Sequence, residues 1–542
     1  MDNPNTPIET KNYVKQKSPK KPGKSAFALA LVVSFLLGAI VGSGAIIGIF
    51  NIKIPNYIVT IIPTSTNTNT TTQSPLTSGS IAIDYTTTQR PNPESEYGLT
   101  TRYGFEDVDF RGYTFNFAAP IDDSDGWASY EVYGEEDGAG ILDTAIRQRN
   151  TVMLDNYDCF IKVEAMSLGN ISNDFATGEC TVDVGLYKSN MQTKASSNYI
   201  DFHTLDIDYD TPWWDTGFIE DATVNGQLYT MLGAFSLTSF DATWVMFFNK
   251  TVKETNDNLR NIDFYELVYE GNWTLDEFFK LIKMAAHDDG DQTMTTGTDD
   301  IFGLVSSTYG IRGLYFGANQ GYIVQNTAAD GTSTFTHGFT QASVEATNKI
   351  IEIYHDSAVT TANYTQVESQ MRSNTVLFSP EVLVKASFYA GKQGSSTEAI
   401  DFGILPHPAL NEKQAQNMDF NHYFDNHAIY MCIPTTCKDI DRITAFIDLY
   451  AYHSYYTVYK EYLNLYKYTY TTDTDSAVMV DVILQSRSFD LAHQYGFASI
   501  DNEYIRSVQN GINKAYELGA MYGGAIVESA NAYRDKLASL KN

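Results

Sequence analysis

The sequence has few cysteines, little basic charge and no catalytic signature. Four cysteines occur in 542 residues: Cys159, Cys180, Cys432 and Cys437. They form no CxxC pair and no cysteine–histidine cluster with ligand spacing, which excludes a zinc module. A disulfide stays open if the body is extracellular, although Cys432 sits in an apolar run where a buried thiol fits equally well. Because no cysteine precedes Cys159, anchoring through a lipid-modified N-terminal cysteine is excluded. There is no nucleophile elbow, phosphate-binding loop, HExxH pair or strict dinucleotide fingerprint, so no enzyme class and no cofactor are indicated. Lysine and arginine number 36 against 66 aspartates and glutamates, a formal net charge of −30. A chain this acidic repels phosphate backbones, which excludes nucleic acid as a partner.

What charge there is does not spread evenly. Residues 1–24 carry Lys11, Lys15, Lys17, Lys20, Lys21 and Lys24. From Ser25 to Phe50 no charge occurs at all (SAFALALVVSFLLGAIVGSGAIIGIF). At ~1.5 Å per residue such a helix spans a hydrocarbon core with some tilt. The lysines before it place that end in the cytoplasm and the acidic body outside, a single-pass cell-membrane protein. The competing expectation is a cleaved signal peptide with Phe27–Ile40 as its core and Gly42-Ser43-Gly44-Ala45 as the exit. Ile46–Phe50 prolong the apolar run past that exit and favour an uncleaved anchor. Residues 51–102 follow as a Thr/Ser/Pro-rich stretch with too few apolar residues for a core, expected to be a flexible stalk.

The whole chain is 43% hydrophobic in composition, ample for globular cores, and its length calls for two of them. Tyr113–Phe117 alternates like a strand, Ile141–Met153 has helical spacing, and Phe160–Val163 and Thr181–Leu186 are further strands. That order opens a doubly wound α/β unit. Thr243–Phe248 is a near-continuous apolar run, the pattern of a strand buried on both faces and common in parallel sheets. Thr274 with Glu277 makes a capping box ahead of Leu275, Phe278, Phe279, Ile282 and Ala286. A second helix is expected over 341–355. Asp288-Asp289-Gly290-Asp291 is expected to be a solvated turn, with a structural calcium as the alternative; the spacing of an EF-hand fails.

The buried run ending Phe248-Asn249-Lys250, Trp273-Thr274 before an acidic capped helix, Asp401–Pro408 (DFGILPHP), Ile433-Pro434 before the helix after Asp439, Pro212–Asp215 (PWWD) and Arg487–Leu491 (RSFDL) occur in a telling order. Over residues 103–540 the chain resembles the bacterial extracellular solute-binding proteins of ABC importers, the maltose- and oligosaccharide-binding kind. The resemblance implies two α/β lobes joined by crossing strands, with a cleft between them. Lobe 1 would comprise 103–243 with 409–465, and lobe 2 would comprise 250–400 with 470–542. It implies a small-molecule solute, a sugar or oligosaccharide, with ABC permease subunits and the membrane as further partners and no enzymatic step. An anchored sensor or adhesion ectodomain on the same fold is the alternative, because fold does not fix function. A hydrolase is the weakest reading, since paired carboxylates cannot be placed by spacing alone.

Sugar sites use aromatic faces against ring faces, with carboxylates and amides on the hydroxyls. By the resemblance, Tyr187 follows a strand where a stacking ring is placed, and Asp241 precedes the first crossing where a carboxylate is placed. Tyr309 and Asn319 lie in the segment that reaches across the cleft. Trp213 is open between ligand stacking and lobe packing, while Trp244 and Trp273 are expected in the core. No metal ligand is expected.

Overall fold

The computed structural model describes residues 108–121, 127–134, 140–165, 181–188, 198–391, 398–437 and 439–540, together with 177, 51–54 and 57–60. The chain divides into Met1–Arg90 and Pro91–Asn542. In the first unit Asn51–Ile54 pairs antiparallel with Tyr57–Thr60. The basic tail, the uncharged run 25–50 and most of the expected stalk lie outside the described residues. Among the described residues no helix is long and apolar enough to cross a membrane.

The second unit contains thirteen strands among its described residues. In chain order they are β1 Tyr113–Ala119, β2 Cys159–Ala165, β3 Val184–Lys188, β4 Trp244–Asn249, β5 Phe302–Ser306, β6 Ile323–Thr327 and β7 Ser333–His337, then β8 Val359–Thr361, β9 Val376–Val382, β10 Phe402–Leu405, β11 His422–Tyr423, β12 Ile429–Cys432 and β13 Arg487–Ser488. Five helices matter most here: α1 Ile141–Tyr157, α2 Leu275–Ala285, α3 Gly310–Gly317, α4 Ile440–Ser454 and α5 Ala515–Leu540.

Two mixed sheets make two α/β halves. The first has the order β12-β3-β1-β2. β1 runs parallel to β2 from Tyr113↔Cys159 to Ala119↔Ala165, with α1 as the crossover. β12 closes the other edge antiparallel to β3. Its cover is aromatic: Phe446 of α4 stacks on Phe115 at 3.6 Å, and Tyr450 lies 5.1 Å from Phe117.

The second sheet has the order β8-β5-β9-β4-β10. All six residues of β4 are buried, as its unbroken apolar run requires. Yet β4 is antiparallel to both neighbours, β9 and β10, not parallel. Helices on both faces of the sheet demand the apolar run whichever way the strand points, so composition reports coverage and not direction. β4 enters this sheet from the first half and therefore opposes β5 and β9.

At the start of α2, Thr274 accepts from the Glu277 N–H at 3.3 Å. Only this half of the expected capping box forms, because the Glu277 carboxylate is turned outward to Lys280. Trp273 and Trp244 are buried, with indole N–H groups on the Pro406 carbonyl and the Asp425 carboxylate. Residues 409–416 rest on the second half: Leu275 N–H donates to Ala409 and Gln414 reaches the Gly317 carbonyl. The chain rejoins the first sheet at Ile429.

The halves meet along three short segments. Thr243 bridges Phe424, Asp425 N–H donates to the Ala242 carbonyl, and His422 pairs with Arg487.

Candidate functional site

The parallel strands of both sheets direct their carboxyl ends toward this junction, the place where open α/β sheets bind ligands. From the second sheet, β5 ends at Ser306 and turns at once into α3. Gly310 allows the tight approach, since a Cβ there would fall 2.1 Å from Ser306 Oγ and 2.6 Å from Pro380 Cγ. Tyr309 is thereby left at the rim, 40% exposed, and stacks against Tyr364 at 6.3 Å and 14°. Tyr364, 42% exposed, opens the helix Tyr364–Ser373 that follows β8. Two large rings thus stand side by side at strand ends, each partly open to solvent.

Below them lies Arg312, on the buried helix α3. Its guanidinium sits 5.1 Å from the Tyr309 ring and 5.2 Å from that of Tyr423. It contacts the His493 ring nitrogens at 3.2 and 3.3 Å and pairs with Asp501 at 3.4 Å. Burial works against its charge, but Tyr423, Asp501 and Asp425 around it hold it protonated. Asp501 is likewise penalised by burial and pulled down to about 2 by Arg312 and His493.

Asp425 comes from the segment that leads into β12. It bonds to His427 through Nδ1 and accepts from Trp244 Nε1 at 3.4 Å. Burial opposes its ionisation, yet the His427 hydrogen bond and the Arg312 charge keep it well below the usual carboxylate range. His427 in turn stacks on Trp127 of the loop after β1, at 5.0 Å and 19°. Two aromatic pairs, one from each half, thus flank a buried arginine–carboxylate floor. Such a floor orients hydroxyl or amide groups, and such pairs take the apolar face of a ring.

Of the five positions named from sequence, Tyr309 stands in this cleft. Asn319 is exposed beyond the other end of α3, donates to Asp419 at 3.1 Å and accepts from Asn421 at 3.4 Å. Tyr187 is buried on β3 with its ring 5.9 Å from Tyr199. Trp213 is buried, donates to Asp448 at 2.8 Å and meets Tyr452 edge-on. Asp241 is buried and accepts three phenols: Tyr130 at 2.7 Å, Tyr462 at 2.9 Å and Tyr466 at 2.6 Å. Burial raises its carboxyl to about 6 against the pull of those hydrogen bonds.

Arg312, Tyr364, Asp425, His427 and Trp127 escaped the sequence reading. Arg312 carried one signal, a lone charge inside the Gly/aromatic stretch GIRGLYFG, and Asp425 and His427 share another, the polar cluster FDNH between apolar runs. In the turn 288–300 the ligand atoms of Asp288, Asp289 and Asp300 lie within 4.8 Å of one another. Asp288 and the buried Asp300 accept backbone N–H groups of the same loop there, as in Asx turns.

No family model matches the chain, and no curated protein matches it. Many solved structures similar to it are maltose- or oligosaccharide-binding proteins. A cyclo/maltodextrin-binding protein complexed with maltotetraose is 12% identical, with 78% of this chain and 96% of that one covered and a TM-score of 0.49. A family 1 extracellular solute-binding protein from Bifidobacterium longum subsp. infantis is 13% identical over 77% and 99%, TM-score 0.48. UgpB from Mycobacterium tuberculosis, in complex with glycerophosphocholine, is 12% identical over 79% and 98%, TM-score 0.43.

Proposed function

We propose that the protein is a membrane-anchored extracellular solute-binding protein that captures a sugar or oligosaccharide between its two halves and delivers it to the permease of an ABC importer. The observation that carries this reading is the pair of aromatic platforms, Tyr309/Tyr364 and Trp127/His427, set on either side of Arg312 and Asp425. A saccharide presents apolar ring faces edged by hydroxyls, and this site offers a partner for each. In this reading lobe 1 comprises 103–243 with 409–465 and lobe 2 comprises 250–400 with 470–542, and residues 409–416 lean on the second half. Binding that draws on both halves favours the arrangement in which they are together. The lysine-rich tail and the uncharged run Ser25–Phe50 support an anchor that keeps the acidic body outside the cell.

The experiment is a titration with a panel of maltodextrins, other oligosaccharides and polyols, followed by calorimetry on wild type and on Tyr364→Ala. Binding by wild type that weakens about tenfold in the variant supports the reading, since an aromatic contact contributes on the order of 1 kcal/mol. Binding unchanged by the substitution places the solute elsewhere. Absence of binding to every member of the panel sinks saccharide capture.

A further inference from the structure

The two halves touch at a second place, away from the three covalent crossings. The turn Val224–Gln227 belongs with the first sheet: Phe202 N–H donates to Leu228, and Met231 bridges Met431 of β12. Asn225 (φ 54°) and Gly226 (φ 66°) are consecutive left-handed residues, and Val224 and Gln227 bond to each other across them. That is the backbone of a tight hairpin turn, which holds its shape and presents the Asn225 side chain outward.

The hairpin β6–β7 belongs with the second half. It lies on α5, where Gly519 and Gly523 make room for its end. A Cβ at 523 would come within 2.5 Å of His337 Cδ2, and one at 519 within 3.0 Å of Phe339 Cβ. Both glycines face the same side of α5, four residues apart, so the hairpin is seated on the helix and does not hang free.

Turn and hairpin are joined by a reciprocal pair. Asn225 N–H donates to Ser333 Oγ at 2.9 Å, and Ser333 N–H donates to Asn225 Oδ1 at 2.8 Å. Gln325 Nε2 adds a bond to the Thr223 carbonyl at 2.6 Å, and Arg534 of α5 holds the Ser333 carbonyl at 3.3 Å. Ser333 is fully buried within this contact. Asn225 and Ser333 each serve as both donor and acceptor, so sliding by one residue loses both of their bonds at once, and the pair is either made or broken.

We propose that the β6–β7 hairpin is a clasp that holds the two halves in the arrangement described, so that their separation requires release of the Asn225–Ser333 pair. Its consequence for solute entry and exit rests on the capture reading, but the clasp itself is tested with no ligand. The readout is the distance distribution between spin labels at Lys162→Cys on β2 and Lys280→Cys on α2, both side chains being more than half exposed. It is measured on the full chain. Cys159, Cys432 and Cys437 are buried, and a control without the two introduced cysteines fixes the background of these and of Cys180.

Asn225→Gly with Ser333→Ala removes both side-chain partners while leaving the turn its positive φ. The clasp requires a broader distribution with a new population several-fold larger than in wild type, and Gln325→Ala alone should produce a smaller share of it. Asn225→Cys with Ser333→Cys, oxidised before labelling, should return a single narrow population at the wild-type distance. A distribution unchanged in the Asn225→Gly/Ser333→Ala variant, or a broad one in the disulfide-linked chain, overturns the clasp. Loss of saccharide binding with these distributions as expected would count against the capture reading alone.

Discussion

Asp241 and Asp425 are both buried carboxylates at the junction of the halves, and both lie among tyrosines. They differ in what covers them. The rings around Asp241, Tyr462 and Tyr466, are buried and spend their hydroxyls on the carboxylate, so the region is closed and adhesive. Asp425 shares its oxygens with a histidine and an indole and faces a buried arginine, beneath rings that are 40% and 42% exposed. The same residue types make glue where the rings are buried and a site where they are not. Aspartate and tyrosine content therefore says little about function until exposure is known.

The largest effect should come from the closed region. Asp241→Ala leaves three phenolic O–H groups without their acceptor, each costing ~1–3 kcal/mol when buried. The expected loss is about 3 kcal/mol or more, measured by urea unfolding. Asp241→Asn, which keeps one carbonyl acceptor, should lose less. A loss under about 1 kcal/mol for Asp241→Ala would mean that the three phenols find other partners and that the contrast with Asp425 is false.

Next in size is a third carboxylate, one without a hydrogen-bond partner. Glu381 on β9 is buried, neither of its oxygens is hydrogen-bonded, and burial raises its carboxyl to about 8 despite Lys385 nearby. Between the ordinary carboxylate value near 4.5 and about 8, the folded state binds a proton that the unfolded state has lost. Stability from this group is therefore fully present below 4.5 and falls as pH rises, by up to ~1.4 kcal/mol per pH unit, flattening above 8. Glu381→Gln should remove that slope and be more stable than wild type at pH 8 and above. A wild-type profile and a variant profile that stay parallel from pH 5 to 8 would contradict it.

The open region should respond the other way. Tyr309→Ala and Tyr364→Ala should change stability by only about 0.5–1 kcal/mol, less than a core substitution, because both rings are partly exposed. Their effect should appear in solute affinity. The smallest effect expected is at Lys162, whose exposed pair with Glu164 contributes ~0–1 kcal/mol, so Lys162→Ala sets the baseline for the others.

Much of the architecture is legible in the chain. Strand–helix–strand order announces the first sheet, and the run Thr243–Phe248 announces a strand covered on both faces. Thr274 marks the start of α2, and the helix after Asp439, expected from the resemblance, is α4, which covers the first sheet. Strand direction is not legible, because antiparallel β4 needs the same apolar residues as a parallel strand. The site is legible only in Tyr309. Asp241 carries the right chemistry at the right place in the order, but the tyrosines that occupy it come from residues 130, 462 and 466, over a hundred positions away on both sides. Arg312 and Asp425 are joined only by folding, and no local pattern pairs them.

The most direct test of the cleft is the intrinsic fluorescence of Trp127, which forms one of the two platforms, under titration with the saccharide panel. Wild type should show a saturable change with at least one saccharide. Trp127→Phe should lose most of that signal while still binding by calorimetry, and Tyr364→Ala should shift the midpoint to about tenfold higher concentration. A saturable signal that persists in full without Trp127, with a midpoint indifferent to Tyr364, would contradict a solute held between these two aromatic pairs.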